Sequence, residues 1–432
     1  MIYAYFILIF LLGIYNNKNI SNNDYLYLSR KLTLPSFVAT IVTTWYGGIL
    51  EIGRFSYLNG IVTWVIFGLF YYISAIIFAI FIAPKLSTNN IQSIPKYFGI
   101  KYGNTSRRIT SIVLIFLSSP APYLMILSTL LIHILDISTN QALIFGILFS
   151  ITYIYSGGLK SIIKTDIIQF IFMYSGFFVI LIYLIINFGG FEFLITNLPD
   201  EHLNLSGKFP LGYILSWSLI SMITFIDPSI FHRTYSSKDI KTIQNGFFIS
   251  IIFWFIFDIL TISLGLYAAA IIPIDTLNNL NPYIYLAENY LPVIIKNIFY
   301  IGLLSVVMST IDSYFFISSI LITNDLIDTK NRFSNKVALL IIGLLSYIIS
   351  MNFIQVIDIW YIFGSIAASS ILIPFLIIIF KPNKIIKYPI ITLTTPIFVS
   401  LIWIYLDYPY GIDLMYPGVL TSGLLSINNY EK

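Results

Sequence analysis

Thirteen apolar runs limit what this chain can become. They lie at 2–15, 35–53, 60–83, 109–133, 141–157, 165–188, 211–228, 245–271, 297–323, 336–353, 358–380, 389–406 and 413–427. Most approach the roughly 20 residues that a helix needs to cross a bilayer. Inside hydrocarbon every backbone N–H and C=O must be satisfied, which leaves helices and closed barrels as spanning forms. Long runs without polar alternation predict an all-α polytopic membrane protein of about 13 transmembrane helices. Only 10% of the residues are charged, against about 25% in soluble domains. Residues 2–15 have no basic flank before them and no small-residue cleavage site after them. They read as a short first membrane helix rather than a signal peptide. Cysteine is absent, which excludes disulfides and thiol chemistry.

The basic residues test the threading. With the N-terminus outside and the sides alternating, all but three of the 23 Lys and Arg fall on inner segments, from Lys18, Arg30 and Lys31 through Arg233 and Lys330 to Lys432. Arg54, Lys208 and Lys296 are the exceptions. This asymmetry is the positive-inside pattern, and it explains the net charge of +4 without nucleic acid. The outer segment 272–296 and the inner segment 84–108 are expected to form short helices along the two faces.

Within the ninth run, GLLSVVMSTIDSYFFISS at 302–319 is unusual. At about 100° per residue, Val306, Ser309, Thr310, Asp312 and Ser313 fall on one face. Met308, Ile311 and Phe315 fall on the other. A carboxylate at mid-membrane costs at least about 2.5 kcal/mol, so that face should meet protein, water or an ion. Clustered hard oxygens suit a small hard cation, and the helix reads as a Na+ binder in a transporter. The alternative is that Ser309 and Thr310 bond the carbonyls of the preceding turn.

Two runs look interrupted. The second carries Gly47-Gly48 after Thr40, Thr43 and Thr44, with Glu51 beyond. The seventh carries Thr224, then Asp227-Pro228. Paired glycines weaken a helix and proline breaks one. The two runs lie five apart, and matched interruptions mark the binding site of an inverted-repeat transporter. Packing or simple kinking is the other reading. Asp258 and Asp358 read as bundle-facing polar contacts. The three histidines lack metal-ligand spacing, so no transition metal is expected. No nucleophile–base set or cofactor motif is visible, and the chain does not read as an enzyme.

Four blocks carry a family resemblance: TTWYGGILEIG at 43–53, SGGLKSIIKTDIIQ at 156–169, DPSIFHRTYSSKD at 227–239 and VVMSTIDSYFFISSILITNDL at 306–326. In their order and spacing they resemble the sodium:solute symporter family, with His232 where that family usually has Gln. The resemblance implies a 5+5 inverted-repeat core of the LeuT type, as in amino acid-polyamine-cation superfamily-like architectures. The repeats would be 35–188 and 189–380, with 1–34 before them and two peripheral helices in 381–432.

The resemblance also implies site residues. A Na+ site would draw on the hydroxyls of Ser309 and Thr310, the carbonyl of Val306, and the carbonyls of Thr40 and Thr43. A second cation site or proton relay would use Asp166, Asp312 and Ser313. For Asp166 the alternative is a pair with Lys164 or a helix cap. The solute would lie beside Thr44, Gly47, Gly48, Glu51, Thr224 and Asp227, although Arg54 could neutralise Glu51. Glu51 and Asp227 lean toward an amine or a hydroxyl-rich solute. The expected function is Na+-coupled symport of a small organic solute, by alternating access, across a bacterial inner membrane. Na+ would be the coupling ion, with no other cofactor. The alternatives are an H+-coupled symporter of the same fold and a membrane sensor derived from one.

Overall fold

Each apolar run folds as a helix or as two shorter helices in line. The computed structural model describes residues 1–15, 20–88, 91–277, 280–329, 331–428 and 430–431. Lys18, Lys330 and Lys432 lie outside them. In chain order the helices are α1 (Ile2–Ile14), α2 (Leu34–Trp45), α3 (Ile49–Asn59), α4 (Val62–Thr88), α5 (Ile94–Tyr102), α6 (Asn104–Leu117), α7 (Ala121–Leu135), α8 (Thr139–Gly157) and α9 (Leu159–Phe188). They continue with α10 (Leu211–Ser221), α11 (Pro228–Ser236), α12 (Ile240–Ile271), α13 (Pro282–Tyr290), α14 (Val293–Leu326), α15 (Arg332–Asn352), α16 (Val356–Phe380), α17 (Pro389–Tyr405) and α18 (Met415–Asn428). Eight helices among the described residues are long and apolar enough to cross a membrane, and four shorter apolar ones accompany them. The only strands there are a two-residue antiparallel pair, Ile385–Ile386 with Tyr430–Glu431. Short helices occupy both of the segments expected to hold them, α5 within 84–108 and α13 within 272–296.

Local chemistry sets several boundaries. Ser138 and Gln141 form a capping box that starts α8, and Gly158 ends it at φ +55, a conformation that costs glycine little. The run at 109–133 is not one helix. It breaks at 118–120, where Ser118 and Pro120 separate α6 from α7, and the hydroxyl of Ser318 donates to the freed carbonyl of Ser118 at 2.7 Å. Helix α9 starts six residues earlier than its apolar run. Asp166 is therefore two turns inside it and caps nothing, and Lys164 turns away to donate to the carbonyl of Tyr15.

Helix α9 packs lengthwise on α14. A Cβ on Gly176 would lie 3.0 Å from the Cα of Gly302, so the two backbones touch with no side chain between them. Small residues make such approaches possible in membranes, where helix association depends on close packing. Helix α2 lies against α9, α12 and α14. On the Lys- and Arg-rich side, the hydroxyl of Ser93, just before α5, donates to Asp325 of α14 at 2.6 Å. Arg107 of α6 donates to Asp328 at 2.8 Å and to the carbonyl of Asn324.

Candidate functional site

The site forms where both predicted interruptions come together with α14. Helix α2 stops at Trp45, and a turn through Tyr46, Gly47 and Gly48 precedes α3. The last four carbonyls of a helix have no partner within it. Thr310 occupies this end. Its hydroxyl lies 3.0 Å from the carbonyl of Thr44, 3.5 Å from that of Thr43 and 3.1 Å from that of Val306. Ser309 points to the same place, its hydroxyl lying 2.8 Å from that of Thr43 and 2.6 Å from the carboxylate of Asp166. Back-bonding therefore accounts for only one contact of Thr310 and none of those of Ser309. Neither Gly47 nor Gly48 has a positive φ. Close approach is what requires them. A Cβ on Gly47 would lie 2.6 Å from the side chain of Thr310, and one on Gly48 would run into the ring of Trp360.

Thr40 enters through its side chain. Its hydroxyl donates to Asp166 and accepts from Nε of Arg233 at 3.0 Å. Arg233 had counted as an inner-loop charge in the sequence, but it is only 1% exposed. It donates to Ser313 at 2.6 Å, Thr44 at 3.0 Å and Ser229 at 2.6 Å, and one guanidinium nitrogen lies 3.9 Å from Asp166. A buried charge of this kind persists only when paired and hydrogen-bonded. The predicted trio thus divides. Asp166 and Ser313 share Arg233, whereas Asp312 turns to α8 and accepts from the hydroxyl of Tyr153.

The second interruption faces α2 from the other half. Helix α10 tightens over 222–225 and ends. Asp227 then caps α11, its Oδ1 accepting from the backbone N–H of Ile230 at 2.9 Å, with Pro228 in the first turn. Proline suits that position because the N–H it lacks has no helical partner there. Oδ2 of Asp227 accepts from the hydroxyl of Tyr314 at 3.2 Å. Between the two breaks lies a cavity of about 140 Å³, walled by Gly48, Thr224, Asp227 and a set of aromatic rings.

Three of the six predicted solute residues line this cavity. Thr44 and Gly47 face the oxygen cluster instead, against Arg233 and Thr310, while Trp45, Tyr46 and Gly48 line the cavity. Glu51 is half-buried in the first turn of α3, off the cavity wall, and no ion pair joins it to Arg54 among the described residues. Asp258 of α12 is a cavity residue that the sequence did not distinguish from bundle packing. It lines the wall and accepts from the hydroxyl of Tyr72. Asp358 is exposed in the first turn of α16, not bundle-facing. His232 lies off the cavity against Tyr27, with ring centroids 5.3 Å apart. No cluster of three or more His, Cys, Asp or Glu residues suited to a metal occurs among the described residues.

Comparison with known proteins agrees with this architecture. A sodium/pantothenate symporter of Haemophilus influenzae is 29% identical over 205 residues, which are 44% of this chain and 41% of the relative. The match thus spans less than half the length of that curated relative. A structure of a Na+-coupled sialic acid symporter, substrate-bound and outward-open, superposes with a TM-score of 0.81 at 16% identity, covering 98% of this chain and 95% of the other. A manganese transporter mutant of Eremococcus coleocola gives a TM-score of 0.51 at 14% identity, with 94% of each chain covered. At these identities the likeness is one of fold. The sodium:solute symporter family model matches residues 25–384, a region that contains both interruptions and every residue of the oxygen cluster, and the chain belongs to that family.

Proposed function

We propose that the chain is a secondary active transporter that carries a small organic solute into the cell together with Na+, by alternating access. The meeting of Ser309 and Thr310 with the open end of α2 carries this proposal. Hydroxyls and helix-end carbonyls are hard, neutral ligands, and Asp166 adds a carboxylate beside Ser309. The ion would be held by the hydroxyls of Ser309 and Thr310 and the carbonyls of Val306, Thr43 and Thr44. Thr40 would support them through Asp166. An ion there ties α2 to α14 and fixes the Gly47-Gly48 turn, which is also a wall of the solute cavity. Coupling then requires that the ion bind the outward- and inward-facing states with different affinity. The family name and the relatives' names support Na+ as the coupling ion.

Asp166, Asp312 and Ser313 remain the proposed second cation site or proton relay. A second cation shared by Asp166 and Ser313 would have to displace the guanidinium of Arg233, which donates to Ser313 and lies 3.9 Å from Asp166. Residues 35–188 and 189–380 are read as the inverted repeats, in a bacterial cytoplasmic membrane with the N-terminus outside.

In the purified full chain, Na+ is expected to raise the Tm relative to equimolar K+. Ser309→Ala with Thr310→Ala should weaken the apparent Na+ affinity by about tenfold or more. An unchanged Na+ response in that variant would overturn the assignment. A response to pH in place of Na+ would indicate H+ coupling.

A further inference from the structure

We infer that the cavity between the two interruptions takes a small organic cation, held by Asp227 and by the aromatic rings of Tyr123, Tyr314 and Trp360. The inference rests on reading this cavity as the solute site. Its lining contains two carboxylates, Asp227 and Asp258, and no Lys, Arg or His. The nearby guanidinium of Arg233 is engaged by Thr40, Thr44, Ser229 and Ser313 and does not line the wall. Everything else on the lining is neutral, and much of it is aromatic.

A half-helix N-terminus would ordinarily favour an anion, because its free N–H groups and dipole point that way. At α11 this provision is already used. Pro228 has no N–H, and Asp227 itself accepts from Ile230. An incoming anion would therefore meet a carboxylate where it needs donors. A cation meets the opposite situation. Tyr314 donates to Asp227 and stacks on Tyr123, with centroids 5.2 Å apart and planes at 21°. Tyr123 in turn lies 5.9 Å from Trp360. Three adjoining rings and a carboxylate on one wall offer an ammonium group ring quadrupole and charge together. A single water needs about 10–15 Å³ on the same measure. A volume of about 140 Å³ therefore admits on the order of ten non-hydrogen atoms, which suits a monoamine with a compact apolar body.

The test uses three probes of nearly equal shape: 2-phenylethylamine, 2-phenylethanol and phenylacetate. Binding to the full chain in nanodiscs at neutral pH, with saturating Na+, is expected to be strongest for the amine. It should exceed the alcohol by about tenfold or more, with phenylacetate weakest. Asp227→Asn keeps a residue able to cap α11, so the helix should hold while the preference for amine over alcohol collapses. Asp258→Asn should reduce that preference without touching the cap. No binding of the amine, equal binding of amine and alcohol, a preference for phenylacetate, or an unaltered preference in both variants would each overturn the inference. A separate titration of Na+ against K+ without any probe reads the sodium site alone. A normal Na+ response with phenylacetate preferred rejects the cation class and leaves the symporter reading intact. Amine binding with no Na+ response does the reverse.

Discussion

Gly47 and Gly48 are adjacent in sequence and face different ligands. A methyl group at 47 is directed at Thr310, and one at 48 is directed at Trp360. Gly47→Ala should therefore weaken the Na+-induced rise in Tm, by about tenfold in apparent affinity, while Gly48→Ala should chiefly weaken solute binding. Parallel Na+ and solute titrations of the two variants check this, and identical effects on both ligands would count against the division. Much of the oxygen cluster was legible in the sequence. A carboxylate and four small residues on one face of an apolar run have few structural excuses, and the face itself follows from helical periodicity. Arg233 was not legible. It follows Pro228 in a segment that reads as the start of an inner loop, and only the packing of α11 back into the bundle reveals its burial. Asp258 failed for a different reason: the one carboxylate on a 32-residue apolar helix has no neighbour in sequence to say which way it faces.

At the scale of elements, the sodium cluster depends on how closely α9 approaches α14. Asp166 reaches Ser309 at 2.6 Å because Gly176 and Gly302 allow the two backbones to touch further along. Gly302→Leu inserts a side chain where there is no space, and such overpacking costs about 1–3 kcal/mol. The variant is expected to lose Tm in the absence of Na+ and also to lose part of its Na+ response, although residue 302 is one turn from Val306 and two from Ser309 and Thr310. Retention of the full Na+ response would show that the α9–α14 spacing does not set the site. Element positions were largely readable, since each apolar run became helix. The break between α6 and α7 was missed because Ser118 and Pro120 sit in an otherwise uninterrupted apolar stretch, and apolarity reports depth in the membrane, not backbone continuity.

For the whole molecule, the contacts of Ser93 with Asp325 and of Arg107 with Asp328 and Asn324 join the start of α5 and of α6 to the end of α14, and a latch that keeps the Lys- and Arg-rich side closed is the role we propose for them. Arg107→Ala should move the population toward the state open on that side. The chain has no cysteine, so a single Phe231→Cys substitution, at a position lining a small cavity beside Asp325, gives a clean reporter. Its thiol should react faster with a membrane-impermeant reagent in the Arg107→Ala background, and Na+ should slow that reaction. Equal rates in both backgrounds would remove these contacts as a latch. The glycine turn carries a broader consequence. A partition one peptide thick cannot be remodelled on one side alone, since any added bulk intrudes on the neighbouring compartment. Descendants of such a carrier would be free to acquire new cargo only by altering the opposite wall, the rings contributed by α7, α10, α14 and α16 and the carboxylates of Asp227 and Asp258, while the partition itself stays bare.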